Sequence, residues 1–284
     1  MAVPAFSDIA KPSNDLISKD FYHTAASALE IKLKAPTGVA FTAKGTSSHD
    51  GPVSSSVEAK KALSNGISIT QSWNTANVLN TKVELDNTFT QGLKTEVLSN
   101  FNPAAGNKGQ KLNLYFKQPM FHTRAFFDYQ PSGKVTAICD GVLGHEGFVV
   151  GGEVGYDVQK AAVTKYSAAL GYTAPQYSAA ITATNSLSVF TASYYHKVNS
   201  AVEAGAKATW DSKAGSTVGI EIASKYKLDP LSFAKAKIND RGIASLAYNT
   251  KINSGLTFGI GGSFDTQKLN EAGHKFGTSF TFEG

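Results

Sequence analysis

Leu79-Asn80-Thr81-Lys82-Val83-Glu84-Leu85-Asp86 sets Leu79, Thr81, Val83 and Leu85 against Asn80, Lys82, Glu84 and Asp86. Successive side chains of a strand point to opposite faces, so this stretch offers one face to an apolar medium and one to water. Leu29-Glu30-Ile31-Lys32-Leu33-Lys34 does the same, with every charge on one side. Val202–Trp210 sets Val202, Ala204, Ala206, Ala208 and Trp210 against Glu203, Gly205, Lys207 and Thr209. Thr217–Tyr226 sets Val218, Ile220, Ile222 and Tyr226 against Glu221 and Lys225. Such segments recur along the chain, divided by turn signals: Asn65-Gly66, Asn107-Lys108-Gly109, Pro131-Ser132-Gly133, Asn253-Ser254-Gly255 and Glu271-Ala272-Gly273. The chain reads as all-β.

Alternation has two physical meanings. In a soluble sandwich the apolar face packs on a second sheet; in a membrane barrel it meets lipid while the polar face lines water. Three features favour the barrel. Segments of ~10 residues suit a tilted membrane strand, against ~5–6 for ordinary strands. Trp73, Tyr172, Tyr177, Tyr194, Tyr195, Trp210, Tyr226 and Tyr248 fall near expected strand ends, where an interfacial girdle needs them. Tyr166–His196 contains no Asp, Glu, Lys or Arg, and its Pro175, Asn185 and β-branched and aromatic residues exclude a helix.

Composition agrees. Apolar residues make up 42% and charged residues 17%, the latter below the roughly 25% of a globular domain. Mean hydropathy is −0.16, as alternating strands produce. No stretch of ~20 apolar residues offers a transmembrane helix. Met1–Asp20 has no apolar core, so no secretory signal is expected. The chain is basic, with a net charge of +5, which raises nucleic acid as a partner. Its basic residues are scattered, and only Arg124 and Arg241 are arginines, so no nucleic-acid partner is expected. One cysteine, Cys139, excludes an internal disulfide and reads as a small strand residue.

The N-terminus has another period. Phe6, Ile9, Leu16 and Ile17 lie at helical spacing, with Asp8, Lys11, Asn14, Asp15 and Ser18 on the other side. This predicts a short amphipathic helix with a break near Lys11–Pro12. Residues 1–25 read as a helical segment and 26–284 as the barrel.

Several segments resemble the eukaryotic mitochondrial porins, the voltage-dependent anion channels, and fungal members most. The most specific runs from Tyr226-Lys227-Leu228-Asp229-Pro230 through Ala236-Lys237-Ile238-Asn239-Asp240 to Ser245-Leu246-Ala247-Tyr248. Trp73-Asn74-Thr75-Ala76-Asn77, Gly144-His145-Glu146-Gly147-Phe148, Tyr195-His196-Lys197-Val198-Asn199 and Met1-Ala2-Val3-Pro4 are similar to further family stretches. Lys275-Phe276-Gly277-Thr278-Ser279-Phe280-Thr281-Phe282 resembles the sorting signal of outer-membrane barrels, carried by Lys275, Gly277, Phe280 and Phe282. The resemblance implies a barrel of nineteen strands, the count of the mitochondrial family itself, with the helix in the lumen. An odd count makes the first and last strands parallel. The implied function is a voltage-gated, weakly anion-selective diffusion pore of the mitochondrial outer membrane, passing ATP, ADP and phosphate. Membrane lipid and the outer-membrane assembly machinery are the implied partners, and a homo-oligomer is compatible. A polypeptide-import barrel would share fold and sorting signal, but the signature around Tyr226–Tyr248 argues against it. A soluble all-β binding protein is the remaining alternative, separable by detergent dependence.

Two features depart from the family. Asp20-Phe21-Tyr22-His23 stands where many members carry a glycine-rich hinge. Lys82 stands where animal members carry a membrane-facing glutamate linked to kinase docking and dimerisation, so that partner role does not transfer.

For a pore, function rests on lumen charge. Lys32, Lys60, Lys117, Lys207, Lys225, Lys235 and Lys237 are expected to face water, with Lys11 and Lys19 on the helix; together they would concentrate anions. Gly92-Leu93-Lys94 matches a short family motif linked to nucleotide contact, so Lys94 is a further candidate. Nothing resembles a catalytic constellation. The six histidines lack metal-ligand spacing, and Gly255, Gly259, Gly261 and Gly262 precede no helix, so neither a metal nor a cofactor is expected.

Overall fold

The computed structural model describes residues 2–104, 106–215, 218–271 and 273–284, and of Asn107 the backbone alone. Met1, Thr217 of the expected Thr217–Tyr226 segment and Ala272 of the Glu271–Gly273 turn lie outside the described residues.

Among the described residues nineteen strands follow an N-terminal helical segment. They are β1 (Ser27–Lys34), β2 (Val39–Ser47), β3 (Val53–Ala62), β4 (Ile67–Asn74), β5 (Leu79–Asp86), β6 (Leu93–Asn102), β7 (Asn107–Lys117), β8 (Phe121–Tyr129), β9 (Val135–His145) and β10 (Phe148–Asp157). The rest are β11 (Ala162–Thr173), β12 (Tyr177–Thr184), β13 (Val189–Lys197), β14 (Val202–Asp211), β15 (Gly219–Asp229), β16 (Ser232–Asn239), β17 (Ile243–Asn253), β18 (Leu256–Asp265) and β19 (Lys275–Glu283). Each strand pairs antiparallel with the next in sequence. Ser27–Lys32 of β1 lies parallel to Thr278–Glu283 of β19, which closes the barrel. Tight turns follow the sequence signals. Asn65 (φ 62°) and Gly66 (φ 75°) both take the left-handed conformation that a two-residue hairpin turn requires.

Period two fixes the faces. Leu29, Leu33, Val57, Val150, Leu170, Ile181, Ile222, Leu246 and Ile260 are exposed on the outside. A belt of this extent facing out is what lipid covers and water does not. Aromatic groups rim it at both mouths. Phe148, Tyr172 and Tyr177 cluster at one end, with ring centroids 4.5 and 5.8 Å apart. Phe190 and Trp210 stack at 5.7 Å at the other, where Trp73 is also exposed. Tyr195 departs from this girdle: it packs inside, against Leu16, Ile17 and Ala223.

The N-terminal segment is broken in two, as the proline suggests. Phe6–Asp8 forms a 3-10 turn and α1 spans Lys11–Ser18. Pro12 sits in the first turn of α1, where its missing N–H has no intrahelical partner to lose. Pro12 therefore starts the second piece and does not interrupt it.

Candidate functional site: the lumen and its lysines

The helical segment lies on the face opposite the lipid belt. Leu16 and Ile17 are buried with Ala223, while Ile220 and Ile222 of the same strand are exposed on the outside. Ile9 packs with Val3, Ala10, Val142, Ala169 and Ala180, and Phe6 and Val149 flank them. The wall is cut back beneath these side chains. A Cβ on Gly171 would stand 2.8 Å from Ile9 Cγ2, and one on Gly205 2.9 Å from Leu16 Cδ2. The apolar stripe thus finds its partner on the inner wall and leaves its polar side to the lumen. Ser13 Oγ donates to the carbonyl of Ala206 (3.3 Å). Arg124 is bidentate on the buried Asp140 carboxylate (2.7 Å at its shortest) and also reaches Ser7 Oγ (3.2 Å).

The segment Asp20–Thr24 crosses β18 and β19. Asp20 takes φ 56°, turning the chain sharply after α1. Tyr22 lies directly on Gly259, where any Cβ would collide with its ring, and its hydroxyl accepts a hydrogen bond from Asn249 Nδ2. Gly277 sits under the carbonyls of Tyr22 and Ala25 with the same consequence. Glycine is absent from the hinge and present in the wall beneath it. Burial, ahead of the neighbouring Asp20 charge and against the Asn249 bond, pushes the Tyr22 hydroxyl up to about 12. His23 is held below the usual imidazole value by burial, then by Lys237, His49 and Lys275.

The candidate lysines occupy three environments. Lys11 and Lys19 lie on the open side of the helical segment, bridged to Asp8 (3.5 Å) and Asp15 (2.8 Å). The hydrogen bond to Asp15 raises the Lys19 ammonium above its ordinary value.

Wall lysines form a second class, in ladders with carboxylates. Lys32 meets Glu283 (3.0 Å) and Glu30 (3.6 Å); Lys207 meets Glu221 (2.9 Å). Glu84 is nearly buried and gathers Lys60 (2.9 Å), Lys82 (3.4 Å) and Lys94 (2.8 Å), with Ser68 Oγ donating as well (3.0 Å). Lys82 is therefore a lumen residue. Lys94 also bridges Glu96 (2.8 Å), so contact with a nucleotide would require it to leave two carboxylates. Lys117, last in β7 and exposed at one mouth, stands outside these ladders and falls with the third class.

The third class has no carboxylate partner among the described residues. Lys225 lies over the Phe233 ring (4.1 Å). Lys235 and Lys237 lie beneath α1: Lys235 Nζ donates to the carbonyls of Lys19 (2.7 Å) and Asp15 (3.3 Å), and Lys237 Nζ to that of Ile17 (3.2 Å). No sequence signal announces Glu84 as a hub, or the Asn249 and Arg124 anchors, because each depends on long-range register. In the C-terminal signal, Phe280 and Phe282 share the lipid face, while Gly277 and Lys275 lie on the lumen side. No metal-binding cluster exists among the described residues.

Residues 2–277 match a family model described as eukaryotic porin. A relative from Neurospora crassa, "Mitochondrial outer membrane protein porin", is 60% identical over 100% of both chains. "Non-selective voltage-gated ion channel 1" of Saccharomyces cerevisiae is 39% identical over 100% of both, and the "Voltage-dependent anion-selective channel" of Drosophila melanogaster 30% over 100% of both. Among solved structures, a mutant of the Rh. blastica porin aligns with TM-score 0.51 at 10% identity, covering 81% of this chain and 90% of that one. At that identity the likeness speaks to the barrel architecture alone.

Proposed function

The chain belongs to the eukaryotic porin family and is a voltage-gated pore of the mitochondrial outer membrane; from that premise we propose how it discriminates among solutes. It passes ATP, ADP, phosphate and other small metabolites and ions with a weak preference for anions. The observation that carries this reading is the polarity of the closed barrel: an apolar outside, and an inside where lysines outnumber but largely pair with carboxylates. Pairing reduces the field that a lysine-rich wall would otherwise present. Screening reduces it further, since the Debye length of ~8 Å is short against a barrel of this strand number. Lys11, Lys19, Lys32, Lys60, Lys117, Lys207 and Lys225 supply the preference. Residues 1–25 act as one unit lying in the pore of the barrel 26–284. Phe280 and Phe282, side by side on the lipid face, are the part of β19 that assembly machinery would read.

Planar-bilayer recording of the refolded chain tests this. Large stepwise conductances are expected, with a small reversal potential of anion-selective sign in a salt gradient. Protein that stays soluble without detergent and leaves bilayers silent would end the reading.

A further inference from the structure

We propose that Lys235 and Lys237 are positioning residues: two ammonium groups that clamp the C-terminal carbonyls of α1 to the pore wall and take no part in ion selection. The electrical half of the test rests on the pore reading; the structural half does not.

The argument begins with an anomaly in the ladder. Lys235 of β16 stands directly opposite Lys225 of β15, and its other neighbour is Ala247. Lys237 stands between Ala223 and Ser245. Like charges directly opposite destabilise a sheet. Elsewhere on this wall the cross-strand partner of a lysine is often an acid, as Glu221 is for Lys207. Lys235 is also only 4% exposed, and burying an ammonium without a partner is costly. Something other than a carboxylate must offset both penalties.

The end of α1 does so. The last turn of a helix leaves carbonyls without intrahelical donors, and its end carries partial negative charge. Lys235 and Lys237 between them donate to the carbonyls of Ile17 and Lys19, and Lys235 also to that of Asp15, which accepts from the Lys19 N–H as well. The buried Phe21 completes the site, with its ring centroid 4.9 Å from Lys235 Nζ and 4.6 Å from Lys237 Nζ. A ring face in that range attracts a cation, more so when water is excluded. Lys225 escapes the repulsion by turning to Phe233. The two lysines thus have their donors directed at the helix and not at passing ions.

The test uses the full chain, refolded in detergent and reconstituted. In Lys235→Met/Lys237→Met, amide exchange across Asn14–Lys19 should rise roughly tenfold or more, because charge-assisted bonds to the helix end are lost. Amides of the β9–β11 ladders should keep their protection. Lys237→Arg, which retains a cationic donor, should keep the helix protected. The double variant removes two positive charges, the same net change as Lys19→Glu. Its reversal potential should nevertheless move far less than that of Lys19→Glu. Unchanged exchange at Asn14–Lys19, or a reversal-potential shift equal to that of Lys19→Glu, would overturn the assignment. Should the double variant fail to fold, Lys237→Met alone is read by the same two measurements, with Lys19→Gln as its one-charge reference, a smaller rise in exchange expected and unchanged exchange again overturning it.

Discussion

The Lys19 side chain extends from the end of the helical segment into the open side of the lumen, its ammonium paired with Asp15. A charge there acts on the solution inside the pore at short range, before screening removes it. Lys19→Glu is expected to lower the anion preference, read as reversal potential in a salt gradient, with a larger effect at low salt. Single-channel conductance should change less, since the wall is untouched. The substitution also sets two carboxylates four residues apart at the C-terminal end of α1, which costs about 0.3 kcal/mol of helix stability. Lys19→Gln is therefore the control, and should move the reversal potential about half as far, one charge being removed in place of two. No movement with either variant would mean that Lys19 does not border the conducting path.

For a strand, face and depth decide what a substitution does. Ile220 and Ile222 both point to lipid, but Ile220 is second in β15 and lies near a mouth, while Ile222 is deeper. An arginine on the lipid face costs ~2–4 kcal/mol at the midplane and ~0–1 kcal/mol near the interface. Ile222→Arg should therefore destabilise the barrel clearly more than Ile220→Arg, measured by denaturant unfolding in detergent. Glu221→Arg, on the lumen face, should mainly raise anion selectivity. Equal losses for all three would mean that the β15 register is misassigned. The contact between β19 and the hinge makes a second test. Gly277→Ala drives a methyl group into two carbonyl oxygens, an overpacking worth ~1–3 kcal/mol, whereas Gly45→Ala in β2 meets nothing within 4 Å. Thermal unfolding should separate the two variants.

The same scale explains what could be read from the sequence. Alternation is local, so the lipid and lumen faces of β1, β5, β14 and β15 were legible residue by residue. Tyr195 was misplaced in the girdle because closeness to a strand end outweighed parity; adjacent Tyr194 and Tyr195 cannot both face lipid. The helix stripe of Ile9, Leu16 and Ile17 was legible as well. Which wall it would meet was not, since that depends on cross-strand register set by the whole closed sheet. Hence Glu84 as a three-lysine hub, and the carbonyl-bound state of Lys235 and Lys237, became visible only once the strands were placed. Even the apparent lack of a hinge glycine had its counterpart far away in sequence, at Gly259 and Gly277.

At the scale of the molecule, one ladder differs from the rest. Parallel pairing is slightly weaker per residue than antiparallel, and the β1–β19 seam joins only Ser27–Lys32 to Thr278–Glu283. Crossing side chains reinforce it through Lys32 and Glu283, while Tyr22–Thr24 packs on β19 and β18 to one side of it. The seam should still be the first ladder to open on heating. Amides of β1 directed at β19 should exchange ahead of those directed at β2, measured residue by residue in detergent; equal rates would refute a weak seam.

That seam also orders events in time. During synthesis the strand that β1 needs emerges last, so no nascent chain ending before residue 275 has a partner for that edge. A sheet formed without β19 would keep two free edges and an apolar face, the combination that favours edge-to-edge aggregation. Closure cannot proceed hairpin by hairpin alongside translation. Closure therefore waits on β19, and a chain cut short of that strand keeps β1 without its parallel partner.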